Sequence, residues 1–302
     1  MHGNDQSEGI LDSSYQYGTS ALDHSSRLQQ LRTFLFGYPS PMETQDASKF
    51  IPSLKAPDVI GCAVTMPYKV SMMTAVDEVT AEAKVIGAIN TVFIRKGPDG
   101  SPRYIGTNTD CIGVREAFLQ NIPDLLKHST GKPGLVIGGG GACRSAVYAL
   151  WKWLGTSKIY LVNRLESEVT DVVKSLKAAG FGGELIYVSS VEMANALESP
   201  ALVVGTIPDF PPRGEGEIAA RDIVNRFLSK ENKGYVLEMC YHPKPKTEFF
   251  EIAAAAGWKV LYGTEPMIYQ GVAQQVLWTE MPLDKFNLGE VKRAIANIIE
   301  KP

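Results

Sequence analysis

From residue 134 to residue 262 the chain alternates short apolar runs with helical segments of about ten residues, and this alternation limits the fold more than any other feature. The runs 135–137, 159–162, 185–188, 201–204, 235–239 and 259–262 read as strands. In the first helical stretch Val147, Leu150, Trp151 and Leu154 recur at i, i+3, i+4 and i+7, which places them on one helix face. A charged segment through Ala179 and the stretches 218–228 and 247–256 continue the helical series. Strands that alternate with helices form βαβ units around a parallel sheet, so the expected class is α/β with a doubly wound domain.

The first strand runs into Gly138-Gly139-Gly140-Gly141-Ala142-Cys143-Arg144, where the next helix opens. Strand, glycine turn and helix N-terminus are the context of a dinucleotide fingerprint in a Rossmann-like domain. Gly138 permits the tight turn, Gly140 lets backbone approach a pyrophosphate, and Gly141 and Ala142 offer N–H groups at the positive end of the helix. A ligand-free glycine connection is the plainer alternative. Cofactor choice is read at the end of the next strand, where Asn163-Arg164 stands in place of the acid that usually binds a ribose 2′-hydroxyl. A guanidinium suits a 2′-phosphate, so NADP is favoured. Glu166 and Glu168 weaken that field and leave NAD open.

The segment before residue 115 is mixed α/β and less regular. Stretches 33–36, 59–64, 91–94 and 104–106 read as strands, and Pro67 sits where it would open a helix. Two further helices, 266–279 and 288–300, follow the regular series; they could extend the second domain or fold back onto the first, and the latter is the expectation. The 302 residues suffice for two domains, with 44% hydrophobic and 21% charged residues. Net charge is −3 without a Lys/Arg block, which argues against a nucleic-acid partner, and no apolar run is long enough to span a bilayer. Four scattered cysteines and four histidines show no metal-ligand spacing, so no metal is expected. The polar, Ser-rich residues 1–32 are read as a flexible tail rather than a leader, and the expected location is cytoplasmic.

In the first half Thr65, Lys69, Asn90 and Asp110 stand out beside strands and turns, although each alone is an ordinary turn former or solvated charge. Their setting is more specific: Ala63-Val64-Thr65-Met66-Pro67-Tyr68-Lys69, then Ile86-Gly87-Ala88-Ile89-Asn90-Thr91, then Gly106-Thr107-Asn108-Thr109-Asp110. Together with the glycine loop, Asn163-Arg164, Met239-Cys240-Tyr241-His242-Pro243 and Gly263 with Pro266-Met267-Ile268-Tyr269-Gln270-Gly271, these segments resemble the shikimate/quinate dehydrogenase family. The resemblance implies an NADP-dependent oxidoreductase that interconverts 3-dehydroshikimate and shikimate, or the quinate pair, as a monomer or homodimer acting on a small molecule.

By that resemblance Lys69 and Asp110 are the catalytic pair, and Thr65, Asn90 and Gln270 bind substrate hydroxyls. Tyr241, Gly263 and Met267 line the nicotinamide end of an interdomain cleft, with Thr206 on the ribose side. Removing a hydroxyl proton while hydride leaves needs a base within hydrogen-bond reach, which a lysine beside a carboxylate can provide. Amides and hydroxyls discriminate a polyhydroxylated ring because an unmatched buried polar group is costly. The implied layout is an incomplete substrate-binding domain at 33–114, a nucleotide domain at 115–264, and helices within 265–302 packing back on the first. The departure lies at the start: Phe34-Leu35-Phe36-Gly37-Tyr38-Pro39 matches the family's opening, but Ser40-Pro41-Met42-Glu43 leads straight into Thr44-Gln45-Asp46-Ala47. Roughly two dozen residues, a βα unit carrying the family's carboxylate-binding serine pair, are missing there, and Ser40 is the one stand-in. A catalytically silent paralogue that binds nucleotide or a pathway metabolite as a regulatory module is the alternative function.

Overall fold

The computed structural model describes residues 47–57, 59–242 and 244–299. The tail 1–32, the 33–36 strand, the Phe34–Pro39 motif and Ser40 lie outside the described residues. The described residues divide into two compact units, one of those within 47–84, 88–109 and 271–287, the other of those within 85–87, 110–270 and 288–299.

The first unit holds helix α1 (Ala47–Leu54) and the strands β1 (Gly61–Ala63), β2 (Glu78–Val79), β3 (Thr91–Lys96) and β4 (Pro102–Thr107). Among the described residues they form a mixed sheet in the order β1-β3-β4-β2. β3 pairs antiparallel with β1 and β4, while β2 runs parallel to β4. Leu54, Val64, Met72, Ala83, Ile89 and Val92 make its core. On β3, Phe93 packs with Ile105 and Leu277. The helix expected at Pro67 does not form. Residues 66–70 are turns, and a short 3-10 helix follows at Ser71–Thr74. The hydroxyls of Ser71 and Thr74 bond back to the carbonyls of Tyr68 (3.3 Å) and Ser71 (3.0 Å), a local alternative to the α-helical ladder. The 59–64 strand is likewise shorter than expected, at three residues.

A short helix α2 (Ala81–Ile86) precedes β3. The second unit opens its main segment with α3 (Asp110–Asn121), then α4 (Leu125–Ser129). The βαβ series follows: β5 (Gly134–Ile137), α5 (Gly141–Lys152), β6 (Lys158–Val162), α6 (Glu166–Ala178), β7 (Glu184–Tyr187), α7 (Val191–Ala196), β8 (Leu202–Gly205), α8 (Glu215–Leu228), β9 (Tyr235–Glu238), α9 (Glu248–Ala255) and β10 (Lys259–Leu261). All six strands are parallel, in the order β10-β9-β8-β5-β6-β7. β5 and β8 lie at the centre, and every residue in them is buried. Below the sheet, Tyr160 and Phe227 stack with ring centroids 5.4 Å apart in a core shared by Leu135, Val203 and Val236. This is the doubly wound α/β fold expected.

The chain ends in α10 (Thr264–Thr279) and α11 (Leu288–Ile299). Relative to the sequence-based layout, the division falls at Asp110 rather than 114, because α3 is one continuous helix. Residues 271–287 group with the first unit, whereas α11 groups with the second. There Lys292 Nζ of α11 reaches Glu265 Oε2 at 2.9 Å and lies over the Tyr269 ring.

Candidate dinucleotide and catalytic site

Strands β5, β6 and β7 wind outward in one direction and β8, β9 and β10 in the other, so the order reverses between β5 and β8. At such a reversal the connections leave to opposite faces and open a crevice beyond the carboxyl ends of the strands. Gly138 and Thr206 stand there, just past β5 and β8. Thr206 donates through its Oγ1 and its N–H to the Ile137 carbonyl, at 2.7 and 3.0 Å. Gly138 has φ +129°, and a Cβ on it would collide with Thr206 Oγ1. A side chain on Gly139 would press on Asn163 and Glu168, each within 2.8 Å. Around Gly140, the residue capping α5, the space is open. The turn is therefore tight where it meets the sheet and bare where a ligand would lie. Glycine is demanded by backbone on one side and supplies a cradle on the other, with Gly141 and Ala142 presenting the first turn of α5. These residues fit a pyrophosphate at a helix N-terminus.

The end of β6 is more acidic than the sequence suggests. Asn163 Nδ2 donates to Glu168 Oε2 at 2.5 Å, and Arg164 Nη1 donates to Glu217 Oε1 at 2.7 Å. Glu217, on α8, also accepts the N–H groups of Arg213 (2.9 Å) and Gly214 (3.1 Å). Those two amides, then Arg164, hold its carboxyl down at about 2, so it is charged throughout the neutral range. The guanidinium expected to meet a 2′-phosphate is thus already paired.

At the end of β9, Glu238 is 1% exposed, and burial pushes its carboxyl up to about 7. It accepts the Cys240 N–H at 2.8 Å, and Tyr241 beyond it is exposed. Gly263 lies against this segment: a Cβ there would fall 2.7 Å from the carbonyl oxygens of Glu238 and Met239 and 2.8 Å from that of Cys240. Met267 donates its N–H to the Gly263 carbonyl at 3.4 Å. The second unit therefore gathers Glu238, Tyr241, Gly263 and Met267 about one strand end.

In the first unit the expected polar residues converge through backbone. Val64 N–H donates to the Asn90 carbonyl, and Ile89 N–H to the Lys69 carbonyl, both at 2.7 Å. Thr65 is exposed at the end of β1 and Lys69 is half-buried in the following turn. Asn90 is buried, and its Oδ1 accepts Thr109 N–H at 2.7 Å and Thr91 Oγ1 at 2.8 Å, while Nδ2 donates to Thr109 Oγ1 at 3.0 Å. Its carboxamide so clamps the start of β3 to the turn after β4. In the second unit Asp110 opens α3 and is 8% exposed. One turn along, Gly113 lets α10 come close: a Cβ there would stand 2.5 Å from the Pro266 carbonyl and 3.1 Å from Gln270 Cβ. Asp110 and Gly113 share a helix face, so Asp110 and Gln270 belong to facing helices. Gln270 donates to the Met267 carbonyl at 3.2 Å.

A family model for the shikimate dehydrogenase substrate binding domain matches residues 19–92. A quinate dehydrogenase of Emericella nidulans is 46% identical over 241 residues, covering 78% of this chain and 73% of that protein. The chain belongs to the shikimate/quinate dehydrogenase family. A pentafunctional AROM polypeptide of Komagataella phaffii is 34% identical over 85% of this chain but is matched over only 16% of its own length. Among solved structures, the dehydroquinate dehydratase and shikimate dehydrogenase part of the S. pombe AroM protein superposes with a TM-score of 0.63 at 30% identity, over 86% of this chain and 49% of that one.

As a shikimate/quinate dehydrogenase, the chain holds three polar residues that sequence reasoning missed. Gln274, 7% exposed, donates from Nε2 to Thr91 Oγ1 at 3.0 Å. Its signal was a second glutamine one helical turn after Gln270. Glu238 was legible as a lone acid closing the apolar run Tyr235-Val236-Leu237. Glu217 carried no signal, because its partner Arg164 is 53 residues away in sequence. Among the described residues no group of three or more His, Cys, Asp and Glu is placed to hold a metal ion, and no helix is long and apolar enough to cross a membrane.

Proposed function

We propose that this protein is a nicotinamide-dependent oxidoreductase that interconverts 3-dehydroshikimate and shikimate, or dehydroquinate and quinate. The observation that carries the reading is the bare glycine cradle at the strand-order reversal, in a chain 46% identical to a quinate dehydrogenase. When bound, the nicotinamide ring supplies the hydride acceptor and donor. Gly138, Gly140, Gly141 and Ala142 hold the pyrophosphate, Thr206 borders the ribose, and Tyr241, Gly263 and Met267 border the nicotinamide. Lys69 takes the substrate hydroxyl proton in the oxidative direction and returns it in the reductive one. Asp110 is the second catalytic residue, while Thr65, Asn90 and Gln270 bind the remaining ring hydroxyls. Arg164 supports NADP, as the sequence suggests, and Glu168 and Glu217 beside it make NAD a substrate for the same cradle. The alternative of a silent nucleotide-binding paralogue has no support from the relatives found.

The test is reduction of NAD and NADP, followed by absorbance, with shikimate and quinate as separate substrates. Cofactor-dependent turnover of either is the expected result. Binding of both dinucleotides with turnover of neither substrate overturns the enzymatic reading.

A further inference from the structure

Glu238 is a buried carboxyl that the proposed reaction does not use. It closes β9 and is enclosed by its neighbours: a Cβ on Gly205 of β8 would stand 3.0 Å from its Oε2, and Phe249 of α9 fills the same space. Two groups at opposite ends of one connection meet it. Cys240 N–H, two residues on, donates at 2.8 Å, and the Thr247 hydroxyl, which caps α9 by accepting Phe250 N–H at 3.0 Å, bonds to it as well. The stretch that carries Tyr241 thus leaves and returns to the same carboxyl. On the far side, Gly263 fixes the carbonyls of Glu238, Met239 and Cys240 by close approach.

We propose that Glu238 is a positioning residue for the nicotinamide end of the site, whose carboxyl ties Cys240 to Thr247 and so sets the backbone that presents Tyr241. This rests on the function proposed above, which places the nicotinamide beside Tyr241, Gly263 and Met267. The tie responds to protonation. Burial holds the carboxyl near neutrality, at about 7, against the opposing pull of the Cys240 and Thr247 hydrogen bonds. The charged groups around it are Asp209, after β8, which disfavours its ionisation, and Arg221 of α8, which favours it. Arg221 is shared with Glu248 at 3.3 Å, and Asp209 Oδ1 accepts Glu248 N–H at 2.9 Å, so neither acts on Glu238 alone. A carboxyl that holds its proton better inside than in water favours the closed arrangement while neutral and the open, solvated one once charged. The turn is therefore firmest in acid, loosens as pH rises from about 4.5 to about 7, and changes no further above that.

Two readouts test this on the full chain. Amide hydrogen exchange at Cys240 and Tyr241, corrected for intrinsic rate, should lose protection as pH rises from 5 to 7 and level off by 8. The Kd for NAD or NADP by calorimetry should weaken several-fold over the same range. Glu238→Gln, which keeps the shape and cannot ionise, should abolish both trends. Retention of the wild-type trends in that variant overturns the proposal, and so does a wild-type protein with no exchange transition, which needs no variant to fold. If neither dinucleotide binds at any pH, the function proposed above fails, and the exchange profiles alone decide the role of Glu238 as a tie.

Discussion

Lys69 and Arg164 are the two cations on which the chemical reading depends, and each makes a distinct forecast. Lys69→Ala removes a proton carrier and should lower kcat by roughly 10²–10⁴-fold, with the Kd for dinucleotide unchanged by calorimetry. A parallel loss of dinucleotide affinity would place the lysine elsewhere. Arg164 is held by Glu217, which two backbone amides keep charged, so the arginine is spoken for whenever the α8 N-terminus is formed. Glu217→Gln should release it and raise the affinity for NADP relative to NAD several-fold, measured as the ratio of Kd values. An unchanged ratio would show that Arg164 does not meet the 2′-position. This pairing illustrates why residue chemistry was only partly legible. Asn163-Arg164 is a local signal, but the acid that modifies it comes from another helix and is brought there by the fold.

The elements differ in how much of themselves they announce. After residue 134 the regular alternation of strand and helix makes even the three-residue β10 readable, and every strand was found within a residue or two, although the six-residue α7 was missed. Before residue 110 the elements are short. β2 has two residues and β1 three, and the Ser71–Thr74 turn is decided by hydroxyls competing for carbonyls rather than by a hydrophobic face. Such pieces are held by tertiary bonds, like the Asn90 clamp on Thr91 and Thr109, that leave no periodic trace. Gly263 shows the same dependence at a single junction, since its need for a missing side chain follows from three carbonyl oxygens of another strand end. Gly263→Ala should force β9 and β10 apart locally, at a cost of about 1–3 kcal/mol. Thermal unfolding should register it as a lowered Tm, accompanied by weaker dinucleotide binding. A Tm equal to that of the parent would mean that the segment yields more easily than its packing suggests.

For the molecule as a whole, the acid–base balance of folding is set partly by Glu238. Its carboxyl titrates at about 7 in the folded chain against an ordinary value of 4.5, so the native state binds a proton that the unfolded chain releases. The contribution to stability is complete below pH 4.5, declines as pH rises, and is gone above 7. Between pH 5 and pH 8 the wild type should lose up to about 3 kcal/mol more than Glu238→Gln in denaturant unfolding. Equal losses would remove Glu238 from the account. A parallel sheet also divides its two margins by task. All six strands of the second unit deliver their carboxyl ends to the side bearing Gly138, Asn163, Thr206 and Glu238. The returning turns, among them the exposed stretch at 231–233 between α8 and β9, emerge at the opposite rim. A fluorophore or affinity handle grafted at 231–233 would ride on the scaffold a full strand length from the ligand, which makes that rim the natural attachment point for watching the cradle fill.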